Sequence, residues 1–154
     1  MAIAPVKKYN NLEKNLFSAV ERQWDDLATG SNMFMLATNV YTPDVAHQTT
    51  NDVTGKVISG DGIPIAVLSP SIDSVSVAGT TSFSSAAANF GAAVTITAKY
   101  LICIQPLVAN TFSLTTSKLL WYVDLDDTNA TASLSSTASD FIINAPTNGW
   151  FSIT

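Results

Sequence analysis

Hydrophobic and polar positions divide the chain into one stretch of helical period and a longer region of strand period. Leu12, Leu16, Val20 and Trp24 recur four apart, Leu27 follows three further on, and Phe17 and Ala19 lie beside them. That stripe predicts an amphipathic helix over residues 9–28. Glu13, Lys14, Glu21, Arg22, Asp25 and Asp26 lie mostly off it. Thr29-Gly30-Ser31-Asn32 supplies the stop, with Gly30 suited to a left-handed C-terminal position. Asp25 and Asp26 oppose the helix dipole at that end, so the helix depends on tertiary packing.

Beyond Asn32 the period becomes that of strands. Asn32–Thr38 is a short apolar run that suits a buried strand, and Gly60-Asp61-Gly62 signals a turn. Ile63–Leu68 contains Pro64, which places it at an edge or a strand start. Ala78 to Phe90, rich in Gly, Ser, Thr and Ala, reads as a loop or an exposed hairpin end. Val94 to Ile104 is the clearest strand, with Val94, Ile96, Ala98, Tyr100, Ile102 and Ile104 on one face. At about 3.3 Å per residue it spans roughly 36 Å, a length that suits a sandwich. Leu119, Trp121, Val123 and Leu125 form a second such face. Phe141–Asn144 and Trp150–Ile153 close the chain around the turn Pro146-Thr147-Asn148-Gly149. The pattern predicts a mainly β chain: an antiparallel, jelly-roll-like β-sandwich with one N-terminal amphipathic helix. It forms one domain over residues 9–154, preceded by an arm of residues 1–8. Trp121, Tyr100, Ile96, Ile102 and Trp24 are the expected core.

Composition sharpens this. The chain has 154 residues, 47% of them hydrophobic and only 12% charged, against about a quarter charged in an average domain. Seventeen serines and eighteen threonines supply most of its polarity. Long charged side chains are depleted at the cores of interfaces, because ordering and desolvating them is costly. A surface rich in hydroxyls and poor in charge therefore suits life in an assembly. Net charge −5 argues against a nucleic-acid partner, which needs a basic patch. No stretch approaches the roughly 20 consecutive apolar residues of a membrane-spanning helix. The opening MAIAPVKKYNN lacks the apolar run of a secretory signal, so folding in a cytoplasm is expected.

Candidate chemistry is sparse, and no catalytic set emerges. His47 is the single histidine, in a polar loop with no Gly-x-Ser-x-Gly elbow anywhere, and reads as an ordinary surface or capping residue. Asp124, Asp126 and Asp127 form the one carboxylate cluster, whose oxygens could hold Ca²⁺. The segment lacks an EF-hand's central Gly and terminal Glu, and an acidic turn accounts for it as well. Cys103 alternates with apolar neighbours and reads as a buried small hydrophobe. No cofactor site and no enzyme activity are expected.

Three segments in order carry a resemblance. Tyr9-Asn10-Asn11-Leu12 opens the helix that precedes Asn32-Met33-Phe34-Met35-Leu36-Ala37-Thr38-Asn39. Ile96-Thr97-Ala98-Lys99-Tyr100-Leu101 is followed by Lys118-Leu119-Leu120-Trp121-Tyr122-Val123-Asp124-Leu125. The chain closes with Phe141-Ile142-Ile143-Asn144 and Asn148-Gly149-Trp150-Phe151-Ser152-Ile153-Thr154. This order resembles a family of small virion proteins of tailed bacteriophages. The resemblance implies a structural role in the virion, after assembly in the bacterial host cytoplasm. Capsid cement or decoration protein is the first expectation, with the major capsid protein as partner. A second copy of the chain, as in a trimer, is left open as a further partner. A neck or tail adaptor, or a fibre protein that binds a receptor, is the alternative. The expected interface residues are Ile3, Pro5, Val6, Lys7 and Lys8 of the arm, with Phe83 and Phe90 of the loop at 78–90.

Overall fold

The structure, a computed structural model, describes residues 5–12, 32–68, 73–77, 80–108, 110–126, 133–147 and 149–153. Among them the strands are, in chain order, β1 (Lys7–Lys8), β2 (Met33–Ala37), β3 (Val67–Leu68), β4 (Asp73–Val77), β5 (Thr80–Ser84) and β6 (Ala88–Asn89), then β7 (Val94–Ala98), β8 (Tyr100–Gln105), β9 (Lys118–Asp124), β10 (Leu134–Ser139), β11 (Ile142–Ile143) and β12 (Phe151–Ile153). The strand pairs are antiparallel. One five-stranded sheet has the order β1-β9-β8-β2-β3, and smaller sheets pair β10 with β7, β11 with β6, and β12-β5-β4. The mainly β, antiparallel character follows the alternation in the sequence.

Strand β2 is buried at every position, which requires cover on both faces of its sheet. Phe34 and Leu36 point to one face, with Leu101, Cys103, Trp121 and Val123. Met33, Met35 and Ala37 point to the other, with Ile102, Ile104, Leu119 and Tyr122. The first face packs against Phe83, Phe90, Ile96, Phe141 and Trp150 of the smaller sheets and their ends. Its centre is aromatic: Trp121 lies 5.5 Å from Phe34 and 5.2 Å from Trp150, ring centre to centre. The second face is covered by Tyr9, Tyr41 and Val53 from the N-terminal segment and the connection after β2.

Three details depart from the period-2 reading. The long strand expected over 94–104 divides at Lys99: β7 pairs with β10, whereas β8 pairs with β2 and β9. Val94, Ile96 and Ala98 therefore join one core cluster, and Ile102 and Ile104 the other. Tyr100 is only half-buried. In β9 the register shifts so that Cys103 faces Trp121 while Ile104 faces Leu119. The extra residue, Leu120, turns Leu119 to the face opposite Trp121 and Val123, as a bulge does. Finally, the segment expected as a loop at 78–90 contains β5 and β6.

Asn10–Leu12 has helical backbone, and Leu12 is buried. The rest of the helix expected over 9–28, with Trp24, lies outside the described residues. Lys7 and Lys8 pair with Tyr122 and Trp121 as the edge strand β1, because the open edge of β9 satisfies an extended backbone that an arm would leave to water.

Candidate functional surface and cleft

Among the described residues, the connection from β8 to β9 carries three of the six exposed large hydrophobic side chains. From Tyr100 to Ser117 no side chain is charged. Leu107 and Val108 are 64% and 65% exposed, and Leu114 is also exposed. The base of this loop is tied down. Ser113 O accepts from the Thr50 hydroxyl at 2.7 Å, and Ser117 Oγ accepts from the Ser113 N–H at 3.1 Å. The Thr50 N–H donates to Ser117 O at 2.9 Å, and Val108 and Thr111 bridge across the tip. Two large aliphatic side chains thus face solvent at the tip of a loop whose base is anchored.

All four tyrosines of the chain gather on the second face of the large sheet. Tyr9 lies 5.1 Å from Tyr122, Tyr41 lies 5.9 Å from Tyr100, and Tyr100 lies 6.0 Å from Tyr122, ring centre to centre. The Asp44 N–H donates to Nδ1 of His47 at 3.3 Å. That nitrogen is therefore an acceptor, and the Tyr41 hydroxyl donates to it at 2.9 Å. The Tyr9 hydroxyl in turn donates to Tyr41 at 2.9 Å. Burial pushes both phenols up, Tyr41 to about 12 and Tyr9 further, where its hydrogen bond to Tyr41 adds to the effect. The relay pins the loop after β2 against the sheet.

Beside that cluster lies an open cleft of about 250 Å³. Pro5 and Lys7 approach it from the N-terminal segment, and Thr42 and Pro43 from the pinned loop. Tyr100 of β8, with Tyr122 and Asp124 of β9, completes it. Among the described residues no protein group hydrogen-bonds to the Tyr100 or Tyr122 hydroxyl, and Lys7 has no carboxylate partner. Burial raises the pKa of both phenols, with Asp124 and, for Tyr122, Tyr100 adding to it, so both remain donors at neutral pH.

Behind the cleft sits Lys99, 1% exposed, whose ammonium meets Asp124 Oδ1 at 2.8 Å and the Asp126 carbonyl at 2.6 Å. Asp124 Oδ1 also accepts the Asp126 N–H at 3.0 Å. Asp124 Oδ1, within the acidic segment 124–127, is thus engaged by a lysine ammonium and a backbone N–H. Asp127 lies outside the described residues, and among those described no three His, Cys, Asp or Glu side chains group as metal ligands. Alternation in the sequence put Lys99 on a polar face, and nothing in it signals a buried ion pair.

The expected interface residues separate. Ile3 lies outside the described residues. Pro5 and Lys7 are exposed, Val6 packs against the core, and Lys8 is half-buried. Phe83 and Phe90 are corrected: both are core residues, at 3% and 0% exposure. Phe83 stacks on Phe151 at 4.5 Å and Phe90 meets Phe141 edge-on, so neither is offered to a partner. The small residues around them line strands packed on a core, which composition alone did not separate from loop. His47 is half-buried, and its Nδ1 accepts the Asp44 N–H as a local cap. Burial drives the Cys103 thiol pKa upward, away from reactivity. Leu107, Val108 and the tyrosine cleft were not singled out from the sequence. An uncharged run from Tyr100 to Ser117, longer than its strand needs, was the available signal for the first; nothing local joins the four tyrosines.

Compared with family models, curated proteins and solved structures, the chain has no match.

Proposed function

We propose that this chain is a structural virion protein of a tailed bacteriophage, a capsid cement or decoration protein. In this reading its small sheets and large sheet form a β-sandwich, and it binds the outer shell across neighbouring subunits of the major capsid protein. The observation that carries the reading is the pinned, uncharged tip with Leu107 and Val108 exposed. Interfaces draw their energy from a few apolar anchors that enter pockets and exclude water, and a fixed loop loses little entropy on docking. The poverty of charge in the whole chain supports the same reading, since few groups need costly desolvation. A protein that binds only the intact shell stabilises it by mass action, which is the mechanism of a cement protein; no bond is made or broken.

The test places Leu107→Asp and Val108→Asp together in the protein and measures occupancy on purified shells and the heat resistance of those shells. Because both side chains are largely exposed in the isolated domain, its melting temperature stays unchanged. Occupancy falls at least about tenfold, and the shells lose their added heat resistance. Full occupancy by the double variant would remove the tip as the anchor.

A further inference from the structure

We propose that the tyrosine cleft is a binding site for a single hexose ring, either free or at the end of a surface glycan. The inference goes beyond the capsid reading and does not depend on it. Four of the residues that line it carry polar side chains with spare hydrogen-bonding capacity: Tyr100, Tyr122, Lys7 and the part-exposed Asp124. Phenol hydroxyls both donate and accept, a carboxylate only accepts, and an ammonium only donates. A ligand that satisfies all of them must carry several hydroxyls able to do both. Lys7 and Asp124 have opposite signs, so a phosphate would gain from one and be repelled by the other, and an ammonium ligand likewise. An apolar ligand would cut the phenols and the carboxylate off from water without replacement.

Thr42, the two tyrosines and two prolines supply the rest of the lining, and the rings and prolines suit the C–H faces of a pyranose. The cleft has the liquid volume of about eight waters, room for one such ring with its substituents. Its walls are set in advance. Asp124 is held by Lys99, and Thr42 and Pro43 follow directly on Tyr41, which the Tyr9–Tyr41–His47 relay fixes. Such preorganisation lowers the entropy lost on binding.

The isolated protein, labelled with ¹⁵N, is titrated separately with the methyl glycosides of glucose, galactose, mannose and N-acetylglucosamine. At least one should give saturable shifts in the residues around Thr42, Tyr100 and Tyr122 at millimolar concentration. Lys7→Ala and Tyr122→Phe should each weaken that binding about tenfold with the melting temperature retained, since Lys7 is exposed and the phenylalanine keeps the ring. A bacterial surface polysaccharide that ends in the same sugar separates the two sources. Tighter binding of the polysaccharide identifies a surface glycan, and equal binding identifies the free sugar. The absence of shifts with all four glycosides up to about 50 mM would overturn the proposal. So would binding that both variants leave unchanged, because the sugar would then sit elsewhere.

Discussion

Removing either partner of the Lys99–Asp124 pair should destabilise the fold, but by unequal amounts. Lys99 is 1% exposed, whereas the Asp124 side chain keeps 21% of its surface in contact with solvent. If Lys99 becomes Met, the apolar stem is largely replaced, and Asp124 keeps the Asp126 N–H and some water. The loss is then the net value of charge-assisted hydrogen bonds, about 1.5–3 kcal/mol. If Asp124 becomes Ala, a buried ammonium loses its carboxylate and retains the Asp126 carbonyl, and removing one partner of a buried ion pair costs about 3–5 kcal/mol. The double variant Lys99→Met with Asp124→Ala should recover much of the larger loss, giving a coupling energy of at least about 1 kcal/mol. Urea denaturation of the four proteins at pH 7, followed by tryptophan fluorescence, reads all three numbers. If Lys99→Met proves more costly than Asp124→Ala, or if the two effects simply add, the pair does not have the buried, mutually dependent character described.

Three further outcomes follow from the packing. Trp121→Ala should lose about 3–5 kcal/mol, because a ring that is 1% exposed and touches Phe34, Trp150 and Phe151 is removed; a loss under about 1 kcal/mol in denaturant titration would show the site to be poorly packed. Gly149→Ala should destabilise by about 1–3 kcal/mol, since Gly149 has φ +80° and an added Cβ would collide with the Phe83 carbonyl; thermal unfolding reads this. The Asp52 carboxyl accepts the Thr49 and Gln48 N–H groups, which hold its pKa below the usual range against the opposing effect of burial. Its folded pKa is the lower one, so its stabilisation is complete above the unfolded value of about 3.9 and fades as pH falls through the folded value. Asp52→Ala should therefore cost about 1 kcal/mol at pH 7, and the difference from the parent protein should narrow as pH falls below the usual carboxylate range; a gap of the same size in acid would contradict it.

The strands were legible because a half-buried sheet writes its pattern every second residue, as Val94-Thr95-Ile96-Thr97-Ala98 does. The same rule hid the break at Lys99. Alternation continues through it unchanged while the chain passes from one sheet to another, and only the buried ion pair marks the crossing. It also misplaced Leu119, since a bulge inserts one residue without any local signal in Lys118-Leu119-Leu120-Trp121. Phe83 was read as a loop aromatic because its neighbours are serines and threonines, residues common to turns and to exposed strand faces alike. The cleft was illegible for a different reason. Tyr9, Tyr41, Tyr100 and Tyr122 are distant in sequence, and only the pairing of β8 with β9 and the folding back of the loop after β2 bring them together.

The proposed structural place on a capsid shell is tested most directly by quantitative mass spectrometry of virus particles purified from cells in which this chain is expressed during phage production. The account predicts that the protein co-purifies with filled heads freed of their tails, at a copy number comparable to that of the major capsid protein. Its absence from purified particles, or its presence only in the tail fraction, would contradict the account.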